Sequence, residues 1–182
     1  MVLVLVAALA ACKRGEKKGD AFSDGKTDQK TSTATVATAT GTDVGAMMPE
    51  YTALNLDGSK FDLAGKRGKV VLVNLWATWC GPCRFEIPEL QRIHDAYTAR
   101  GFEVVGISVD EGEVAPVQAF IEEQKMRYPV AHDPQGTLAN VLQTSVLPTS
   151  ILLDRNGKIV WKKVGAIFEK DEELKSAIEK AL

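Results

Sequence analysis

From residue 47 onward, apolar positions come in short blocks whose spacing alternates between that of strands and that of helices. The segment "YTALNLDGSKFDL" divides into two short strand-like pieces around Asp57-Gly58, a hairpin signal. "KVVLVNLW" is a continuous, β-branched apolar run, the pattern of a strand covered on both faces. Beyond it Ile87, Leu90, Ile93 and Tyr97 recur at helical spacing, and Gly101 follows as a stop. "FEVVGISVD" reads as a second buried strand. Strand, helix and strand in such close succession predict a right-handed βαβ unit with parallel strands.

The pattern then predicts a helix over Val114 to Met126, with Val117, Phe120 and Ile121 turned inward. A short extended piece, "YPVAHD", and a small helix around Leu138 and Leu142 come next. "TSILLD", the turn Arg155-Asn156-Gly157-Lys158 and "IVWKKV" form an antiparallel hairpin. A last helix runs from near Glu169 to Ala181, with acids in its first turn and Leu174, Ile178 and Leu182 on one face. The expected order is βαβ, an insertion, then ββα: one α/β domain over 47–182 with an N-terminal hairpin.

The N-terminal third has a different texture. Val2 to Ala11 is an unbroken apolar run of the length of a signal-peptide core, about half of what a membrane span needs. It ends Leu9-Ala10-Ala11-Cys12, which is similar to a bacterial lipobox whose cysteine receives a lipid. No Lys or Arg precedes the run, and the alternative is an apolar N-terminus with an incidental cysteine. Residues 13–46 are rich in Thr, Ala, Asp, Lys and Gly, with Phe22 the one large apolar side chain. Such a stretch buries too little apolar surface to offset its ordering entropy and is expected to be a disordered tether. Taken as a flexible coil, its ends lie about 30 Å apart. Lys13, Arg14, Lys17 and Lys18 could touch anionic headgroups or simply be solvated.

The formal net charge of −2 gives no footing for nucleic acid. Three cysteines are too few for a disulfide scaffold, so the core must supply the stability. Two of them lie in Trp79-Cys80-Gly81-Pro82-Cys83, between the first buried strand and its helix. Such a pair can be a metal clip, a structural disulfide or a redox couple. A closed zinc site wants four ligands, and His94 and His132 stand at no matching spacing, so no metal is assigned. Each histidine is read as an ordinary polar or half-buried side chain. A peroxide-reducing cysteine is disfavoured because the Pro and Thr that peroxiredoxins carry upstream are absent. At the helix start, unpaired N–H groups and the helix dipole favour a Cys80 thiolate, the attacking species in thiol–disulfide exchange. Cys83, a turn further in, can resolve the mixed disulfide, and Pro82 suits the first helical position.

"VLVNLWATWCGPCRFEIPEL" resembles the thioredoxin superfamily, and within it the membrane-tethered TlpA/ResA-like thiol–disulfide oxidoreductases. The likeness runs from about Pro49 to the C-terminus. It implies the thioredoxin fold, a mixed sheet flanked by helices, with catalytic Cys80 and Cys83 as a redox disulfide and no cofactor. It places Trp79, Gly81 and Pro82 in the active-site loop. Leu147-Pro148-Thr149 matches the cis-proline loop that borders the substrate groove, the alternative being a trans proline opening a strand. Pro88 matches a kinking proline within the helix. Trp79 matches a tryptophan beside the active site, though an aromatic there could also be plain core. Thioredoxins carry an aspartate six residues before the first cysteine; here that position is Asn74. Glu86 matches a glutamate of the TlpA/ResA-like branch and is read either as the proton acceptor or as a solvated first-turn acid.

The resemblance further implies a monomeric reductant on the periplasmic side of a bacterial membrane, anchored through a lipid on Cys12. Its partners would be a disulfide-containing client, such as apocytochrome c or a copper-site protein, and a membrane electron donor. Two alternatives stand beside it: an oxidising dithiol protein, or a module that holds copper on the same pair. Clustered soft ligands would favour copper, but Met47, Met48 and Met126 are not gathered near the pair in sequence.

Overall fold

The computed structural model describes residues 40–182. The expected signal segment, Cys12 and the first part of the tether therefore lie outside the described residues. The chain forms β1 (Thr52–Asn55), β2 (Lys60–Asp62), β3 (Val70–Trp76), α1 (Gly81–Tyr97), β4 (Phe102–Ser108) and α2 (Ala115–Gln124). It continues with β5 (Val130–His132), α3 (Thr137–Leu142), β6 (Thr149–Leu153), β7 (Ile159–Val164) and α4 (Glu172–Ala181). All strands join one seven-stranded sheet in the order β2-β1-β5-β4-β3-β6-β7. β3 pairs parallel with β4 and antiparallel with β6, the expected βαβ and ββα halves. The insertion contributes β5, which links β4 to the N-terminal hairpin.

β3 is the axis of the molecule, and every one of its residues is buried. Its side chains alternate between two cores, as the period of a strand requires. Val70, Leu72 and Trp76 pack with Ile87, Leu90 and Ile93 of α1 and with Leu174 and Ile178 of α4. Val71, Val73 and Leu75 face Leu138 and Leu142 of α3 and Phe61 of the hairpin. Asn74 is the polar exception on the α1 side.

Several boundaries differ from the sequence reading. Residues 40–46, expected in the tether, already lie along the domain: Gly45 N–H donates to Ile159 O at 2.8 Å and Ile159 N–H to Ala46 O at 2.9 Å. These bonds occupy the start of β7, otherwise the open edge of the sheet. α2 ends at Gln124, where Lys125 turns left-handed at φ 54°. Within it Ile121 is half-buried rather than enclosed. α4 begins at Glu172 because the Asp171 side chain caps it, accepting from Leu174 N–H at 3.0 Å.

Candidate active site

The peptide leaves β3 through Ala77-Thr78-Trp79 and enters α1 at Cys80, which is the N-cap. Gly81 is the first helical residue and Pro82 the second, one place further in than expected; a missing N–H is equally harmless there. Cys80 and Cys83 form a disulfide with 5.3 Å between their Cα atoms. Cys83 N–H donates to Cys80 Sγ at 3.3 Å. That N–H, and the positive end of a helix 17 residues long, would favour negative charge on Cys80 once the bond is opened. Cys83 is fully enclosed and Cys80 nearly so.

One turn beyond Cys83, on the same helix face, Glu86 is 0% exposed. The reading as a solvated first-turn acid is therefore corrected: the residue points into the core, under the sheet. Its Oε1 accepts from Asn74 Nδ2 at 2.7 Å and its Oε2 from Ile167 N–H at 2.9 Å. Burial pushes its pKa up to about 7, although both hydrogen bonds and the Lys163 charge pull the other way. Asn74 also donates to Ser150 Oγ at 3.0 Å, its direct partner across β3 and β6. The amide at position 74 thus serves as a donor to a carboxyl on the facing helix.

Leu147–Pro148 is a cis peptide bond, as the resemblance implied, and it precedes β6 directly. Pro148 O accepts from Gly165 N–H at 2.8 Å, which ties this loop to the end of β7. Thr149 is buried, with its hydroxyl donating to Val146 O at 2.7 Å. Trp79 is 70% exposed, so it is not core but a surface aromatic next to Cys80. Phe85 at 78% and Phe168 at 63% are exposed as well; one follows Cys83 by two residues, the other adjoins Ile167. Isolated solvent-facing Phe escapes a pattern search, since each breaks the helical period instead of making one.

The sequence reading also missed a clamp on the active-site loop. Asp110, buried just past β4, accepts from Thr78 N–H at 3.0 Å and from the hydroxyls of Thr78 and Ser108. From the other side Arg84 Nε donates to Thr78 O at 3.3 Å, while its guanidinium lies over the Phe120 ring at 4.7 Å. The signal was available: parallel pairing sets Trp76 beside Ser108, so residues just beyond each strand must be neighbours.

The two histidines are structural. His94 Nδ1 accepts from Val104 N–H at 3.2 Å, with its pKa lowered by burial, and His132 Nε2 lies 2.7 Å from Asp110 O. Among the described residues no three His, Cys, Asp or Glu side chains are grouped as metal ligands would be. Nor is any described helix long and apolar enough to cross a membrane.

Residues 44–162 match the model of the AhpC/TSA family. A thiol-disulfide oxidoreductase ResA from Bacillus cereus is 33% identical over 137 residues, covering 75% of this chain and 78% of the relative. In structure, the thiol:disulfide interchange protein DsbE from Chlorobium tepidum has a TM-score of 0.69 at 32% identity, over 74% of this chain and 94% of that one. A secreted thiol-disulfide isomerase from Corynebacterium glutamicum gives 0.66 at 30% identity, over 72% of this chain and 83% of that one.

Proposed function

The chain belongs to the AhpC/TSA family and is a thiol–disulfide oxidoreductase, and from that premise we propose that it is a membrane-tethered reductant of protein disulfides outside the cytoplasm. The observation that carries the exchange chemistry is the Cys80–Cys83 disulfide at the start of α1, with the buried Glu86 carboxyl, its pKa pushed up to about 7, one turn beyond Cys83. A resolving thiol must lose a proton where no water reaches it, and a group of matched pKa is the efficient acceptor.

The reaction runs as two exchanges. Cys80 thiolate attacks one sulfur of the client disulfide, which breaks; the other client sulfur leaves as a thiolate and is protonated by solvent. Cys83 then gives its proton to Glu86 and attacks Cys80 Sγ, expelling the second client sulfur as a thiolate that takes a proton from solvent, while Glu86 returns its own to solvent. The client disulfide has gained two electrons and become two thiols, and Cys80–Cys83 is left oxidised. A dithiol donor in the membrane returns the electrons.

Trp79, Gly81, Pro82 and the Leu147-Pro148-Thr149 loop form the binding edge, where the backbone before Pro148 pairs with an extended client segment. A lipid on Cys12 and residues 13–39 hold the domain at the membrane. The structural neighbour named as secreted supports a location outside the cytoplasm. Suitable clients are apocytochrome c before haem attachment and copper-site proteins with oxidised cysteines. The dipeptide Gly81-Pro82 is that of thioredoxin, whose potential is about −270 mV, against about −120 mV for the oxidant DsbA. Equilibration with a dithiol buffer tests the direction: a potential near the thioredoxin value supports a reductant, and one near DsbA reverses it. Following the exchange rate of Glu86→Gln against pH tests the proton step. The inflection near neutrality should vanish, and an unchanged profile removes Glu86 from the mechanism.

A further inference from the structure

A cleft of about 280 Å³ is lined by Trp79, the residue before Cys80, and by Leu147 of the cis-proline loop. Its apolar lining includes Val109 and Ala139, and its polar rim includes Gln135 and Glu111. Glu111 is the one ionisable residue among those that line it. The side chain is exposed, and no ion pair or side-chain hydrogen bond engages it among the described residues. The cleft therefore offers an aromatic face and apolar walls to an aliphatic stem, and a free negative charge at the rim.

We propose that this cleft is a specificity site for the client, taking a Lys or Arg side chain that lies two residues from the cysteine under attack. The inference rests on the disulfide-reductase reading and adds the substrate class. An extended segment aligned with the loop before Pro148 points alternate side chains the same way, with next-but-one residues about 6.6 Å apart. With one cysteine over Cys80, a neighbouring side chain on that face reaches the space between Trp79 and Leu147. A long basic side chain fits such a place: its methylenes cover apolar surface while its charge stays at the wet rim, and a cation gains further from the Trp79 ring. An acidic side chain there would meet Glu111 as a like charge.

The test uses the reduced full-length chain and three synthetic peptides. Each has one intramolecular disulfide, and they differ only in carrying Lys, norleucine or Glu two residues from the more reactive cysteine. The rate of single-turnover oxidation of Cys80 and Cys83 is measured at low salt for each peptide. The Lys peptide should outpace the Glu peptide by about five-fold, the reach of an exposed charge pair. Glu111→Gln should bring the ratio close to one, and Glu111→Lys should invert it. Glu179→Gln removes the same charge elsewhere: Glu179 pairs with Arg100 beyond the C-terminal end of α1, about 25 Å along the helix from Cys80. That variant should keep the wild-type ratio. Even-handed reduction of all three peptides by the wild type, or a preference that survives Glu111→Gln, overturns the specificity site. No oxidation by any peptide would be a different result, bringing down the reductase reading and this inference with it.

Discussion

Replacing Glu86 by Gln should change how the stability of the oxidised domain depends on pH. The carboxyl has an ordinary pKa of 4.5 and one of about 7 in the fold, with burial as the main cause. Between those values the folded chain holds more protons than the unfolded one, so its stability falls as pH rises. The contribution is complete below pH 4.5 and is gone once pH has passed through 7. A span of this size corresponds to about 3 kcal/mol at 1.36 kcal/mol per unit. Gln stays neutral and carries no such slope. It keeps an acceptor for one of the two donors, Asn74 Nδ2 and Ile167 N–H, but sets its own amide against the other. That mismatch costs about 1–3 kcal/mol at every pH. Urea denaturation of both oxidised proteins from pH 4.5 to pH 8 isolates the effect, because every other titrating group is common to the pair. The stability of Glu86→Gln relative to wild type should improve by about 3 kcal/mol across the series. A difference that stays flat would mean that Glu86 is ionised in the fold at low pH, and the proton role would lose its footing.

Cys83→Ser, expressed as the full chain, should hold its client as a mixed disulfide on Cys80, visible as a higher-mass band that collapses with reductant; Cys80→Ser should hold none. Asp110→Ala leaves Thr78 N–H and two hydroxyls without their acceptor. It should lower stability by about 2–3 kcal/mol in thermal or urea unfolding, and an unchanged midpoint would deny the clamp. Gly106→Ala would set a Cβ 2.9 Å from Trp76 Nε1 and 3.2 Å from the Tyr128 ring. Both side chains are enclosed, so the overpacking should cost about 1–3 kcal/mol in denaturation.

Much of this was open to a reader of the sequence. β3, α1 and β4 carry long apolar runs and unbroken periods, so their type and their parallel pairing followed directly. The hairpin at Asp57-Gly58 and the cis bond before Pro148 came from turn chemistry and from resemblance. What did not follow depended on contacts between distant segments. Whether Glu86 is solvated or enclosed turns on Ile167, 81 residues later, whose N–H closes the site. Residues 40–46 look like tether by composition, yet the backbone of Gly45 and Ala46 finds its partner at Ile159, which no side-chain pattern announces. Trp79 was ambiguous for a related reason: a single aromatic after a strand suits core and surface alike, and only packing decides.

Asn74 and Glu86 also index the strand beneath the helix. A shift of β3 by two residues would leave every side chain on its own face and both cores apolar, so hydrophobic burial alone would hardly oppose it. It would, however, set Leu72 or Trp76 where the amide now stands, leaving a buried carboxyl without its side-chain donor. A polar pair in the middle of an apolar seam therefore works as an alignment mark: the contact that holds the Glu86 carboxyl under the strand also fixes which turn of α1 rests on which residue of β3, and with it how far Cys80 projects beyond the sheet.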